Sequence, residues 1–286
     1  MKRTIAEIRR GFDGVDGAGV HLVRVLSSAT VKNMDPFLML DVFDSEDYND
    51  YIKGFPMHPH RGIETITYLA DGSIDHEDTL GNKGTILPGG TQWMTAGSGI
   101  LHQEMPQKSE QMIGFQLWLN LPAKDKMAPP AYREVNEADM PLHVEDGMKV
   151  RVISGDFRDV TGGVRADYVK PQIYFMELEE GAAFTRTMPQ DDTAFIYIFR
   201  GEVSVEGQHV AQKNGIRFTD GDELEIRASK PSTFMYIEGP KLREEVAWGG
   251  PIVMNTREEL NLAFEEFRNG TFLKENHVAG TETLNK

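Results

Sequence analysis

The chain reads as all-β: a barrel or sandwich built in two similar halves, with one helix near its C-terminus. Short apolar or alternating runs recur along its 286 residues, separated by Gly, Pro, Asn and Asp. That spacing belongs to antiparallel sheet proteins rather than to a parallel α/β sheet. The two halves also repeat one order of motifs. Tyr68-Leu69-Ala70-Asp71-Gly72, Gly84-Thr85-Ile86-Leu87-Pro88-Gly89-Gly90 and Met94-Thr95-Ala96-Gly97 in the first half answer to Ile198-Phe199-Arg200-Gly201, Gly215-Ile216-Arg217-Phe218-Thr219-Asp220-Gly221 and Leu224-Glu225-Ile226-Arg227 in the second. Each reads as strand, glycine turn, strand, glycine-rich turn, strand, so two copies of one β motif account for the length.

In chain order, strands are expected at 20–26, 64–68, 84–86 and 114–119 in the first half. A stretch rich in Pro, Ala, Lys, Asp and Met, from Leu121 to Glu145, then reads as the connector. The second half offers 149–153, 173–178, 194–198, 223–226 and 233–237. Domain boundaries are placed at 1–135 and 136–286. A helix is expected over about 256–269: Thr256 with Glu259 three residues on makes a capping box, and Gly270 stops it. Leu260, Ala263, Phe264 and Phe267 form the apolar stripe of a packing helix that closes a barrel.

Composition bounds the function. Apolar residues at 40% and charged residues at 26% are ordinary globular values. A net charge of −15 opposes direct binding to nucleic-acid phosphates or an anionic membrane. The absence of cysteine excludes disulfides, a thiol nucleophile and a thiol switch, leaving a metal or the 14 methionines for redox sensing. The N-terminus is charged, contains Glu7 and lacks a signal-peptide core, and no run has the length of a membrane helix. A soluble cytoplasmic protein is expected.

The chemistry concentrates in His58-Pro59-His60 and His102-Gln103-Glu104. Side chains at i and i+2 of a strand share a face, so two adjacent strands would aim three imidazoles and one carboxylate at one point. That donor set suits a first-row divalent metal, and Fe, Mn, Ni, Cu, Co and Zn are all compatible with it. Pro59 removes a ladder donor and marks an edge strand or strand entry. Ala96-Gly97-Ser98-Gly99 reads as a hairpin turn returning into the second pair.

Glu64, four residues after His60, is open to three roles: fifth ligand, general base, or an acceptor that orients an imidazole, the last being favoured. Gln116 is open to two readings, a group that bonds a metal-bound water or the substrate and a plain buried amide, the second being favoured. His76, within Asp75-His76-Glu77-Asp78, reads as part of a solvated turn. His143-Val144-Glu145 has no H-x-H partner and reads as a surface pair; His21, His209 and His277 are isolated.

Three segments carry a family resemblance: Phe55-Pro56-Met57-His58-Pro59-His60-Arg61-Gly62-Ile63-Glu64-Thr65, the run from Gln92 to Pro106, and Gly114-Phe115-Gln116-Leu117-Trp118-Leu119-Asn120-Leu121-Pro122. With Trp248-Gly249-Gly250-Pro251-Ile252-Val253-Met254-Asn255-Thr256 near the C-terminus, the chain resembles the pirin family of two-domain cupins. The resemblance implies two jelly-roll β-barrels packed face to face, with metal only in the first. The family's ligands fall on His58, His60, His102 and Glu104. Other cupins carry a His where Trp93 stands here. The resemblance further implies quercetin 2,3-dioxygenase chemistry. A flavonol or similar aromatic binds the metal through its 3-hydroxyl, O2 cleaves the ring, carbon monoxide leaves, and Glu104 is a candidate base. The rival implication, from eukaryotic members, is an iron-binding transcriptional co-regulator that acts through a protein partner.

Overall fold

The computed structural model describes residues 1–274. In chain order the strands that matter for the site are β1 (Ile5–Arg9), β2 (Phe12–Asp16), β3 (Val20–Leu26), β4 (Phe37–Ser45), β5 (Phe55–His60), β6 (Ile63–Asp71), β7 (Ser73–Asp78), β8 (Lys83–Ile86), β9 (Thr91–Thr95), β10 (Ile100–Gln107), β11 (Met112–Asn120), β12 (Ala131–Val135), β13 (Leu142–Glu145) and β14 (Met148–Ser154). The chain forms two compact units that interleave in sequence. Against a simple cut at 135/136, the first twelve residues group with 138–241, and residues 242–274 group with the first half.

The N-terminal unit holds two antiparallel sheets. One runs β12-β9-β6-β11-β4-β3-β2 and the other β5-β10-β7-β8. They face each other across a barrel interior: Gln116 on β11 bonds Glu104 on β10, and Gln92 on β9 bonds His76 on β7. On β10 the alternation is strict, with Ile100, His102, Glu104 and Pro106 buried and the residues between them half-exposed. This is the period-two pattern of a strand with one wet face. β5 pairs only with β10, so Pro59 sits on an edge strand, where its missing N–H costs no ladder bond.

Two expectations change here. The Ala96–Gly99 stretch is not a hairpin turn, because β9 and β10 belong to different sheets; it carries the chain from one sheet to the other. Gly97 (φ +49°) accepts from the Gly62 N–H, and Gly62 (φ +78°) is separated from the first histidine pair by Arg61 alone. A Cβ on Gly97 would lie 2.1 Å from the Ala128 carbonyl oxygen, and one on Gly62 would lie 2.0 Å from that of Val253. Only glycine meets both demands. Likewise, the 121–145 connector is not structureless: β12 pairs with β9 as a sheet edge, and β13 pairs with β14.

In the C-terminal unit a nine-stranded sheet starts at β1 and ends at β13. Val150, Val152, Met176, Ile196, Ile198 and Phe234 are all fully buried in its apolar core. Arg3 anchors the chain start there, its buried guanidinium donating to the carbonyls of Gly221, Thr219, Pro189 and Gln190.

From residue 242 the chain supplies the N-terminal unit with a hairpin (Ala247–Gly249 and Ile252–Met254) and the helix Arg257–Arg268. The capping box forms: Thr256 Oγ1 accepts from Glu259 N at 3.1 Å, and Glu259 Oε2 accepts from Thr256 N at 2.9 Å. Leu260 and Ala263 pack against Ile252 and Met254. Phe267, expected on the buried stripe, is 42% exposed and covers only the edge of Phe272. Among the described residues no helix is long and apolar enough to cross a membrane. His277 lies outside them.

Candidate metal centre

β5 and β10 place their histidines in direct register, with His58 opposite His102 and His60 opposite Ile100. A register shift between His102 and Glu104 re-aims the end of β10, as bulges beside functional sites do. One ligand nitrogen from each of His58, His60 and His102 lies within 4.8 Å of the others. The rings stand 4.4 to 5.0 Å apart, centroid to centroid.

The proton positions follow from the neighbours. His58 Nδ1 lies 2.9 Å from the Pro56 carbonyl oxygen, and His60 Nδ1 lies 3.0 Å from that of Pro251. A carbonyl can only accept, so both Nδ1 atoms carry hydrogen, and the neutral form of that tautomer presents its lone pair at Nε2. Burial, and after it the neighbouring His58, push His60 down to about 3, so it is neutral near pH 7. Burial likewise holds His102 well below the usual imidazole range. The two Nε2 atoms are nevertheless 3.1 Å apart. Facing lone pairs repel at that distance unless a cation lies between them. Two nitrogens bound at right angles to one ion at about 2.1 Å stand about 3 Å apart. His102 adds two buried nitrogens with no hydrogen-bond partner. A proton would relieve one pair, whereas a metal ion satisfies all three imidazoles. The residues therefore fit a metal.

Glu104 is buried two residues further along β10 and lies outside that close group of three nitrogens. Its Oε1 accepts from Thr67 Oγ1 at 3.1 Å, and its Oε2 accepts from Gln116 Nε2 at 2.7 Å. Gln116 in turn accepts from Trp118 Nε1 at 3.3 Å, which fixes which way its amide faces. Glu64 is fully buried, and its Oε1 accepts from Trp93 Nε1 at 3.0 Å and Thr95 Oγ1 at 2.7 Å. The indole of Trp93 thus engages Glu64 rather than any of the three histidines.

His76 is not in a solvated turn. It is an inward residue of β7, 3% exposed, and β7 lies beside β10 with His76 opposite Glu104 and Asp78 opposite His102. Asp78 Oδ2 lies 3.2 Å from His76 Nε2, so that nitrogen donates. Nδ1 then accepts from Gln92 Nε2 at 2.7 Å, and the ring stacks on Tyr132. The charges of Asp75-His76-Glu77-Asp78 conceal a strand of which only alternate residues meet water. His76-x-Asp78 repeats the i, i+2 spacing of the ligand pairs, and that was the available signal. His143, by contrast, lies on the edge strand β13 with Glu145 at 3.3 Å and Asp159 at 3.4 Å, a surface arrangement as expected.

A cavity of about 660 Å³ opens over His58 and His60. Phe55, Trp118 and Trp248 give it an aromatic wall, and Arg24, Asp41 and Asp16 lie on it as well. Trp118 meets His60 edge-on at 4.9 Å. The contributions of Trp248 and Pro251 come from far along the chain, Pro251 lying 191 residues from His60, beyond the reach of any local motif.

A two-sheet barrel holding clustered imidazoles on adjacent strands, paired with a second all-β unit, defines a two-domain cupin. Residues 19–119 match the family model described as Pirin, and residues 173–273 match the one described as Pirin C-terminal cupin domain. The chain belongs to the pirin family. A Pseudomonas aeruginosa protein carrying the provisional name quercetin 2,3-dioxygenase is 42% identical over 277 residues, covering 94% of this chain and 97% of its own. Mouse pirin is 41% identical over 263 residues, covering 89% and 88%. Among solved structures, a quercetin 2,3-dioxygenase from Acinetobacter baumannii superposes with a TM-score of 0.86 at 29% identity, covering 95% of this chain and 99% of its own. A bacterial pirin from Escherichia coli, solved in complex with nickel(II), shares the fold at 22% identity and a TM-score of 0.65, covering 82% and 99%.

Proposed function

We propose that the N-terminal unit is a metal-dependent dioxygenase of the quercetin 2,3-dioxygenase type, cleaving a flavonol or a related enediol or phenol with O2 and releasing carbon monoxide. One observation carries the reading: three imidazoles converge, with both nitrogens of the buried His102 lacking a hydrogen-bond partner, beside a cavity with an aromatic wall. His58, His60 and His102 would hold the ion, with Glu104 as the anionic fourth ligand. A divalent metal there, iron(II) in the first instance, supplies a Lewis acid and template for the substrate's oxygens and for O2. The protein's own part is preorganisation. The Pro56 and Pro251 carbonyls fix two imidazole tautomers, and Thr67 and Gln116 fix the Glu104 carboxylate. The remaining lone pairs of Glu104 are also where a substrate hydroxyl proton would go. The aromatic wall excludes water and receives a flat ring system.

Protein purified anaerobically without added metal is first assayed for bound metals, then loaded and supplied with quercetin and O2. Carbon monoxide is expected from the wild type and none from His102→Ala. Metal-replete protein that releases no carbon monoxide overturns the reading.

A further inference from the structure

The cavity over the histidines is chemically lopsided. Its aromatic wall presents ring faces rather than donors, because Trp118 Nε1 bonds Gln116 Oε1 and Trp248 Nε1 bonds the Gly250 carbonyl. Its polar lining is different in kind. Arg24 donates from Nε to Asp41 Oδ1 at 2.8 Å, from Nη2 to Asp41 Oδ2 at 2.6 Å, and from Nη2 to Asp16 Oδ2 at 2.6 Å. Asp41 is buried, while Asp16 is half-exposed.

This trio is the end of a longer row. Arg24 lies directly opposite Asp41, Asp41 opposite Gln116, Gln116 opposite Thr67, and Thr67 opposite Gln92, across five neighbouring strands of the larger sheet. Directly opposed residues share a face, so the polar lining of the cavity and the groups that hold Glu104 and His76 belong to one line on the inner wall. Gln116 and Thr67 hold the carboxylate beside the histidines. The Arg24 end faces the cavity, touches none of the three histidines by hydrogen bond, and has no part in the chemistry described so far.

Resting on the dioxygenase reading of the same cavity, we propose that Asp41, Arg24 and Asp16 determine specificity, selecting a neutral, flat aromatic that carries hydroxyl donors on the part remote from its chelating oxygens. Two carboxylates against one guanidinium leave the group with a net charge of −1, which repels a carboxylate or phosphate on the ligand. Each Asp41 oxygen accepts one bond from Arg24, and a carboxylate oxygen has capacity for a second. The vacant capacity is therefore for donors, and phenolic hydroxyls are the donors a flat aromatic offers. A hydroxyl donating to a carboxylate is worth about tenfold or more in affinity.

The test compares two flavonols with the same chelating edge, quercetin and 3-hydroxyflavone, on the metal-loaded full chain under nitrogen. Binding is read by quenching of tryptophan fluorescence. Wild type is expected to prefer quercetin by about tenfold or more, and Asp41→Asn and Asp16→Asn to bring the ratio to within about twofold. Asp16 is half-exposed at the mouth, so that variant is informative even if Asp41→Asn folds poorly. Equal affinities in wild type, or a preference that survives in Asp16→Asn, overturn the assignment. Tighter binding of a carboxylated 3-hydroxyflavone than of quercetin also overturns it and makes Arg24 an anion receptor. Carbon monoxide release separates the two readings. Release without a hydroxyl preference leaves the dioxygenase standing and this proposal fallen; a preference without release does the reverse.

Discussion

At residue scale, His60 shows what burying an imidazole costs. The folded chain holds it down to about 3, against an ordinary 6.5. Between those values the unfolded chain binds a proton that the folded chain refuses. Stability therefore falls as pH drops from about 6.5 towards 3, by up to ~1.4 kcal/mol per pH unit, and this group contributes no slope above pH 7. Thermal midpoints of the metal-free protein measured from pH 7 to pH 4 should fall accordingly, and His60→Gln should flatten the slope. Gln116→Leu removes the donor to Glu104 Oε2 while keeping the volume. A tenfold to hundredfold loss in metal affinity, of order 10–100, is expected in a chelator competition; an unchanged affinity would show that Gln116 does not support the ligand set. The histidine pairs were legible because a two-residue period is local. The Pro251 carbonyl that sets the His60 tautomer was not, since 191 residues separate them.

At the scale of elements, the joints matter more than the strands. Lys126 is buried and donates from Nζ to the Gly62 carbonyl at 2.8 Å, Asn120 Oδ1 at 2.5 Å and the Val253 carbonyl at 2.9 Å. One ammonium thus ties the turn after β5, the end of β11 and the C-terminal hairpin. Lys126→Met strands three acceptors and is expected to cost about 3 kcal/mol in urea unfolding; a loss below about 1 kcal/mol would mean that the ammonium does not hold this joint. Most strands and the capped helix could be read from alternation and capping chemistry. β7 could not, because Asp75 and Glu77 give it the composition of a loop, and only its place beside β10 shows that His76 and Asp78 turn inward. The Ala-Gly-Ser-Gly stretch misled for the opposite reason. Its glycines do mark a sharp turn, but two residues' freedom says nothing about which sheet comes next.

For the whole molecule, the two-barrel plan was visible in the repeated motifs, while the exchange of chain ends was not. No local pattern reports that β1 pairs with Asn214–Phe218 or that Trp248 lines a cavity in the other half. A chain cut between Glu137 and Ala138 therefore gives fragments that each lack part of a compact unit. Circular dichroism should show that neither folds cooperatively alone and that mixing them restores the transition; independent folding of residues 1–137 would contradict the interleaving. The row from Arg24 to Gln92 has a last consequence, for how the protein meets a choice of metals. Where the C-terminal unit fills its interior with interchangeable apolar bulk, this wall is a lattice of directional bonds with its geometry settled before anything arrives. Such a frame does not adapt to its guest. Iron-, nickel- and cobalt-loaded protein should give superimposable amide-exchange protection along β10, and a protection pattern that changes with the ion would show that the wall yields to what it holds.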